Sequence, residues 1–311
     1  GLHGSPTAVM EYNGAKGWLV GEPHAGMAAM FTMMNNARLG VGTQGIGIAE
    51  GAYQQALAYA LERKQGRAGG TGTIIEHADV KRMLATMKAD TFAARSIAYA
   101  CAVAIDMSTA TGDAAHKARA ALLTPIAKAF GTDTGMAVAE LGVQVHGGMG
   151  FIEETGAAQF SRDVRVTAIY EGTNGIQSMD LVARKMMDGG EAAFALIDEI
   201  EANAEATRGS HPKMAEAVWQ ATENLRQTTE WLVSLTDMND RFSGAVPYLK
   251  GFARVLGAHY HLIAAKKGGI PREKLARFYI TRMLPEHQSL LAQVRQGGAN
   301  LADITPDDLS A

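Results

Sequence analysis

Apolar residues recur at helical spacing along almost the whole 311-residue chain, and this periodicity limits what it can fold into. From Val80 the set Val80, Met83, Leu84, Met87, then Ala94, Ile97, Ala98 and Cys101, lines one face of a helix that "HADVKRM" opens and "TGD" closes. Before it, Met27 to Gln65 is rich in Ala, Met, Leu and Gln; after it, Thr124 and Pro125 read as the cap and first residue of a third helix ending near Val145. A fourth begins in "EGTNGIQ" and carries Ile176, Met179, Leu181, Val182 and Met186. Beyond the break at "MMDGGEAA", helices are read at 191–206, 211–239, 244–266 and 271–295, ahead of a polar tail ending "ITPDDLSA". Only "PTAVMEYNGAKGWLV" has strand character, as two short runs broken by Asn-Gly. The expected fold class is all-α: a short β piece within residues 1–25, an antiparallel bundle of long helices at 26–190 and a further helical unit at 191–311.

Composition narrows the function classes. A formal net charge of -3 implies no general polyanion-binding surface. Residues 250–282 do gather Lys250, Arg254, Lys266, Lys267, Arg272, Lys274, Arg277 and Arg282 with interleaved Tyr260, Phe278 and Tyr279, but a solvated helix face is favoured over nucleic-acid binding. The single cysteine, Cys101, rules out an internal disulfide and fits a reducing, cytoplasmic setting. No apolar run approaches the ~20 residues that cross a bilayer, and no metal-ligand pattern occurs. The start "GLHGSP", without Met, reads as a processed or truncated piece.

Three stretches invite a chemical reading. "GVGTQG" matches a dinucleotide fingerprint literally but lies inside a helical pattern, so Gly40, Gly42, Gly45 and Gly47 read as close helix contacts instead. In "QVHGGMGFIEETG", Gly147, Gly148 and Gly150 follow a helix end bearing Gln144 and His146; this is a cradle for a flat or phosphorylated ligand, or an ordinary glycine C-cap. In "FSRDVRVTAIYEGTNG" a second glycine turn presents one acid, Glu171, behind Arg162 and Asp163, which read as an ion pair positioning the turn. Met27, Met30, Met33 and Met34 read as core packing or as a cavity wall.

"QVHGGMGF", "SRDVRVTAIYEGTNGIQ" and the arginines Arg38 and Arg63 resemble the C-terminal helical half of the flavin-dependent acyl-CoA dehydrogenases. The likeness covers about residues 1–190, with residues 1–25 resembling the last strands of the family's middle β domain. "HLIAA" and "ARFYITRMLP" resemble the extra C-terminal helical domain of a larger subgroup that includes 3-methylmercaptopropionyl-CoA dehydrogenases. The resemblance implies FAD as cofactor, an acyl-CoA substrate, an electron-transfer flavoprotein as electron acceptor and a homodimer or dimer of dimers. Glu171 takes the position of the base that removes the α-proton on the way to a trans-2-enoyl-CoA. A thioester α-proton is a poor acid, so the reaction needs a base held within reach. Arg63, Lys64, Gln65, His77, Gln144, Gly147, Gly148, Thr173 and Asn174 match cofactor-contacting positions, some of them across a subunit boundary. Arg38 matches an arginine of the helix along the CoA arm, and Gly172 leaves room for substrate. A fragment lacking the rest of the family's fold is expected to hold flavin weakly. A catalytically silent helical dimerisation module is therefore the alternative, with nucleic-acid binding through the basic C-terminal stretch as a second.

Overall fold

The computed structural model describes residues 1–67 and 69–310, with Thr32 and Asn35 described by their backbone alone. Three long helices dominate: α1 (Gly26–Glu62), α2 (Ala78–Thr111) and α3 (Ala114–His146). They run up, down and up, with α3 packed along both of the others. Gly112 ends α2 in the left-handed region, and the Asp113 side chain caps α3 by accepting from Ala115 N at 2.8 Å. Short pieces α4 (Gly148–Phe151) and α5 (Ala157–Val164) lead to α6 (Asn174–Val182).

The seam between α1 and α3 is made of glycine. A Cβ on Gly42 would lie 2.7 Å from Ala127 O, and one on Gly45 would lie 2.5 Å from Gly131 O. Reciprocally, Gly131 and Gly135 face the carbonyls of Gly42 and Gly45 at 2.8 and 2.7 Å. Backbone meets backbone here, which no larger residue permits. Gly40 and Gly47 have no such neighbour, so only half of the glycine string serves packing, and that packing lies within the chain.

The second part holds α7 (Glu191–Thr207), α8 (Pro212–Ser234), α9 (Met238–Ser243), α10 (Ala245–Lys267), α11 (Gly269–Arg282) and α12 (Glu286–Val294), followed by two short turns of helix at Ala299–Ala302 and Pro306–Ser310. The largely buried α10 packs on α2, α3 and α6 as well as on its neighbours. One apolar cluster accordingly runs from Ile46 through Ile97 and Leu123 to Phe252 and Leu291.

Several expectations are corrected. No strand forms in residues 6–20: the segment is exposed throughout and enters no ladder among the described residues. The one ladder-type pairing among the described residues is an isolated bridge between Lys64 and Thr73. Pro125 does not open α3 but lies inside it, and the Thr124 hydroxyl bonds back to Ala120 O. Residues 122–132 are buried between α1 and α2, and that burial outweighs the missing N–H. The stretch 271–295 divides at Pro285 into α11 and α12. Met27, Met30 and Met33 are exposed by 64, 37 and 56%, so they are not core residues. The polar tail carries two helical turns, and its last residue, Ala311, lies outside the described residues. Among the described residues, no helix is long and apolar enough to cross a membrane and no group of three metal-ligating side chains gathers.

Candidate functional site

The parallel run of α1 and α3 brings their C-terminal ends together, and the residues singled out in the sequence collect there. Arg63, Gln65, His77, Gln144, Gly147 and Gly148 line one cavity of about 620 Å³, joined by Tyr59, Gly66 and His146. The turn at Gly147 takes φ 59 and ψ −136, a glycine conformation, and its N–H bonds to Gln144 O as it caps α3. Cap and cradle thus coincide: a Cβ on Gly147 or Gly148 would meet nothing within 4 Å, so the bare backbone borders open space. His146 is buried, donates from Nδ1 to Gly142 O at 2.7 Å and stacks on Tyr59 with ring centroids 4.4 Å apart. His77 precedes α2 and its Nε2 donates to Gln65 O at 3.1 Å, which makes it both helix-terminal and cavity-lining. Lys64 does not line the cavity; its backbone pairs with Thr73.

The Glu171 turn is a separate piece of construction. Glu171 has φ +56 and Gly172 φ +84. Apart from the exposed His24, Glu171 is the only non-glycine with positive φ among the described residues, a conformation that carries a steric cost for an L-residue. Gln177 Nε2 donates to the carbonyls of Glu171 and Gly172 at 3.2 and 3.3 Å. A Cβ on Gly172 would sit 2.9 Å from that same amide nitrogen, so the space left by the missing side chain is taken by Gln177. Thr173 caps α6 through Ile176 N, and Asn174 Nδ2 donates to Thr132 Oγ1 at 2.9 Å and Asp133 Oδ1 at 2.7 Å. Tyr170 donates to Gln44 on α1.

The fully buried Lys128 lies beneath the turn, and sequence reasoning did not single it out. Its Nζ donates to Gly172 O at 2.8 Å and to Asn174 Oδ1 at 2.9 Å. Burial pulls its pKa down to about 8, Asp133 and Glu171 oppose that shift, and the nearby Arg38 adds to it. A lysine inside the apolar run "TPIAKAFG" was the available signal, since a buried ammonium requires acceptors.

Other expected residues lie elsewhere. Arg38 is buried in an ion pair with Asp180, 3.2 Å away, and lines a different cavity of about 380 Å³ with Asn36, Lys117 and Lys185. Arg162 and Asp163 do not pair: Arg162 lies 3.7 Å from Glu153, and Asp163 accepts from Gln159 Nε2 at 2.6 Å. Consecutive residues on a helix point about 100° apart, whereas residues four apart meet. In the basic C-terminal stretch Arg254 is buried against Asp90 and Glu286, Tyr279 is fully buried, and Arg277 pairs with Glu273.

Comparison with known proteins places this geometry. A family model described as the C-terminal domain of acyl-CoA dehydrogenase matches residues 24–187, and one described as acetyl-CoA dehydrogenase C-terminal like matches residues 194–305. The 3-methylmercaptopropionyl-CoA dehydrogenase of Ruegeria pomeroyi is 43% identical over 80% of this chain and 45% of its own length. The chain thus spans less than half of that relative. Among solved structures, Caenorhabditis elegans ACDH-11 in complex with C11-CoA superposes with a TM-score of 0.74 at 22% identity, over 85% of this chain and 45% of that one. An acyl-CoA dehydrogenase complexed with FAD from Bacillus anthracis superposes at 0.73 and 19% identity, over 93% of this chain and 53% of that one, and both share the helical fold. With a family model matched over more than half its length, by a bundle whose glycine loop and glutamate turn have just been described, this chain belongs to the acyl-CoA dehydrogenase family.

Proposed function

We propose that the protein catalyses FAD-dependent α,β-dehydrogenation of an acyl-CoA thioester to a trans-2-enoyl-CoA, with Glu171 as the base that takes the α-proton. The observation that carries this reading is the Glu171 turn: a non-glycine residue held at φ +56, with its own carbonyl and the next one bound from the core. Backbone strain of this kind persists where position matters more than local stability. The family membership and the R. pomeroyi relative point to the same chemistry.

FAD fits the residues present. A cavity of about 620 Å³ with an exposed glycine backbone, the cation Arg63 and the amides of Gln65 and Gln144 suits a dinucleotide's flat and phosphorylated parts. Arg63, Gln65, His77, Gln144, Gly147 and Gly148 would hold it there, with Lys64, Thr173 and Asn174 at its borders. When bound, the flavin supplies the hydride acceptor for the substrate β-carbon. The chain's own part is to place the Glu171 carboxylate at the α-carbon, to receive one proton there, and to keep that carboxylate from moving off the reacting atom. Arg38, through its helix, and Gly172 border the substrate in this reading. An electron-transfer flavoprotein accepts the electrons, and a homodimer or dimer of dimers brings a second copy against the glycine loop.

Glu171→Gln in the full-length protein tests the assignment, because Gln keeps the size, hydrogen bonding and backbone demand while removing the base. Flavin bleaching by an accepted acyl-CoA is expected to slow by about 10²- to 10⁴-fold, with flavin content and acyl-CoA binding retained. An unchanged bleaching rate removes Glu171 from the mechanism.

A further inference from the structure

We propose that Lys128 is a positioning residue for Glu171: its buried ammonium group clamps the Gly172 carbonyl and the Asn174 side chain, and thereby fixes the left-handed turn that carries the carboxylate. This rests on the reading of Glu171 as the base.

Two independent features support the clamp. The first is the demand of the turn itself. An L-residue at positive φ relaxes toward negative φ unless its neighbouring peptide groups are held, at a cost of about 1 kcal/mol or more. Here the holding contacts are the Gln177 amide and Lys128 Nζ, and the lysine contact, at 2.8 Å, is the shorter. A single ammonium has three donors, so it can bind a backbone carbonyl and a side-chain oxygen of the same turn at once.

The second feature is the rigidity of the lysine's own platform. Lys128 sits within the glycine seam of α1 and α3: a Cβ on Gly42 would lie 3.2 Å from Lys128 Cα. The backbone that carries the ammonium therefore cannot shift without opening the glycine seam. Asn174 is tied to the same stretch of α3 through Thr132 and Asp133. The charged groups that act on the lysine are Asp133 on α3, Arg38 on α1 and Glu171 on the turn; Asp133 also pairs with Lys250 on α10 at 3.8 Å, and Arg38 with Asp180 on α6 at 3.2 Å. A buried lysine is destabilising unless it is well bonded. Its placement directly under the turn gives that cost a purpose.

The test uses the full-length protein and two readouts. In Lys128→Met, amide hydrogen exchange in the peptide 169–176 should accelerate by about tenfold or more, the scale of a lost buried hydrogen bond, while peptides from α1 and α2 keep their protection. Flavin bleaching by acyl-CoA should slow by about tenfold or more while the half-saturating acyl-CoA concentration changes less than the rate, because the turn that carries the base is displaced and the residues lining the cavity are not. Lys128→Arg, which keeps the charge and two donors, should recover part of both. Unchanged exchange at 169–176, or a rate loss that appears only as weaker acyl-CoA binding, overturns the proposal. If Lys128→Met does not fold, Lys128→Gln, with an uncharged amide of shorter reach, is measured in the same way. An unchanged bleaching rate in Glu171→Gln would instead overturn the base assignment, and with it the clamp's part in catalysis. The exchange readout still decides whether the clamp exists.

Discussion

The glycine-loop cavity and the Glu171 turn are built on opposite plans. Around the cavity, Arg63, Gln65 and Gln144 are exposed, and among the described residues none of their side chains has a hydrogen-bonding partner. The loop itself is bare backbone. At the turn, Lys128 is fully buried, Gln177 is buried with its Nε2 bonded to two carbonyls and only its Oε1 without a partner among the described residues, and Asn174 alone engages Lys128, Thr132 and Asp133. Polar groups left free within a protein are available to a ligand, whereas groups satisfied within it act through the shape they impose. One region recognises and the other positions.

Both plans lean on the α1–α3 seam, so the largest effect should come from breaking it. Gly45→Val places a side chain where Gly131 O already stands 2.5 Å from the Cβ position and Thr132 Cα stands at 2.7 Å. Backbone cannot rotate away, so the helices must part. A destabilisation of about 3 kcal/mol or more is expected, at the upper end for overpacking. Urea unfolding followed by circular dichroism measures it. Gly40→Ala is the internal contrast: nothing lies within 4 Å of its Cβ position, and the gain in helix propensity should stabilise by about 0.5–1 kcal/mol. Equal effects from the two substitutions would mean that the seam does not hold the bundle.

A smaller effect separates the two plans directly. Asn174→Ala removes a partner from Lys128 and from Asp133 and leaves the lysine with the Gly172 carbonyl alone. A loss of about 1–3 kcal/mol follows from leaving buried groups unsatisfied. Gln144→Ala removes no internal bond and should stay within about 0.5 kcal/mol of the parent, while lowering affinity for flavin dinucleotide measured by fluorescence titration. If Gln144→Ala destabilised as much as Asn174→Ala, the cavity would be structural and the contrast would fail.

The difference in plan also explains what the sequence could reveal. Periodicity and an end signal, Gly112, sufficed for α2, whereas α1 was legible through its Ala-, Met-, Leu- and Gln-rich composition. Of the cavity residues, Gln144, His146, Gly147 and Gly148 were legible locally, because a glycine loop following a helix end is visible in one dimension, whereas Arg63, Gln65 and His77 were reached only through the family resemblance. Residues of the turn were legible only as far as "YEGT" itself. Nothing in a linear reading pairs Gly42 and Gly45 with Gly131 and Gly135, or brings Lys128 beneath Gly172, since these contacts span 40 residues or more. Pro125 misled for the converse reason, because its local chemistry opens helices but tertiary burial carried α3 through it.

The last effect expected is a pH dependence that belongs to the turn. Lys128 has a folded-state pKa near 8 against 10.5 for an ordinary lysine, chiefly because burial disfavours the charged form. Between those two values the unfolded chain binds more protons than the folded one, so stability rises with pH across this window. Below pH 8 both states carry the charge and the full cost of burying it is present. Above about 10.5 neither does, and the cost is gone. The acceptors on Gly172 and Asn174 offset part of it, so the gain across the window should be about 1–2 kcal/mol rather than the full value of the shift. Urea midpoints of the parent and Lys128→Met, compared from pH 7 to pH 10, isolate this contribution, because other titrating groups act on both alike. The stability of the parent relative to the variant should rise with pH across this window. A constant difference across that range would show that Lys128 keeps an ordinary lysine pKa in the folded protein and that its ammonium is not desolvated beneath the turn.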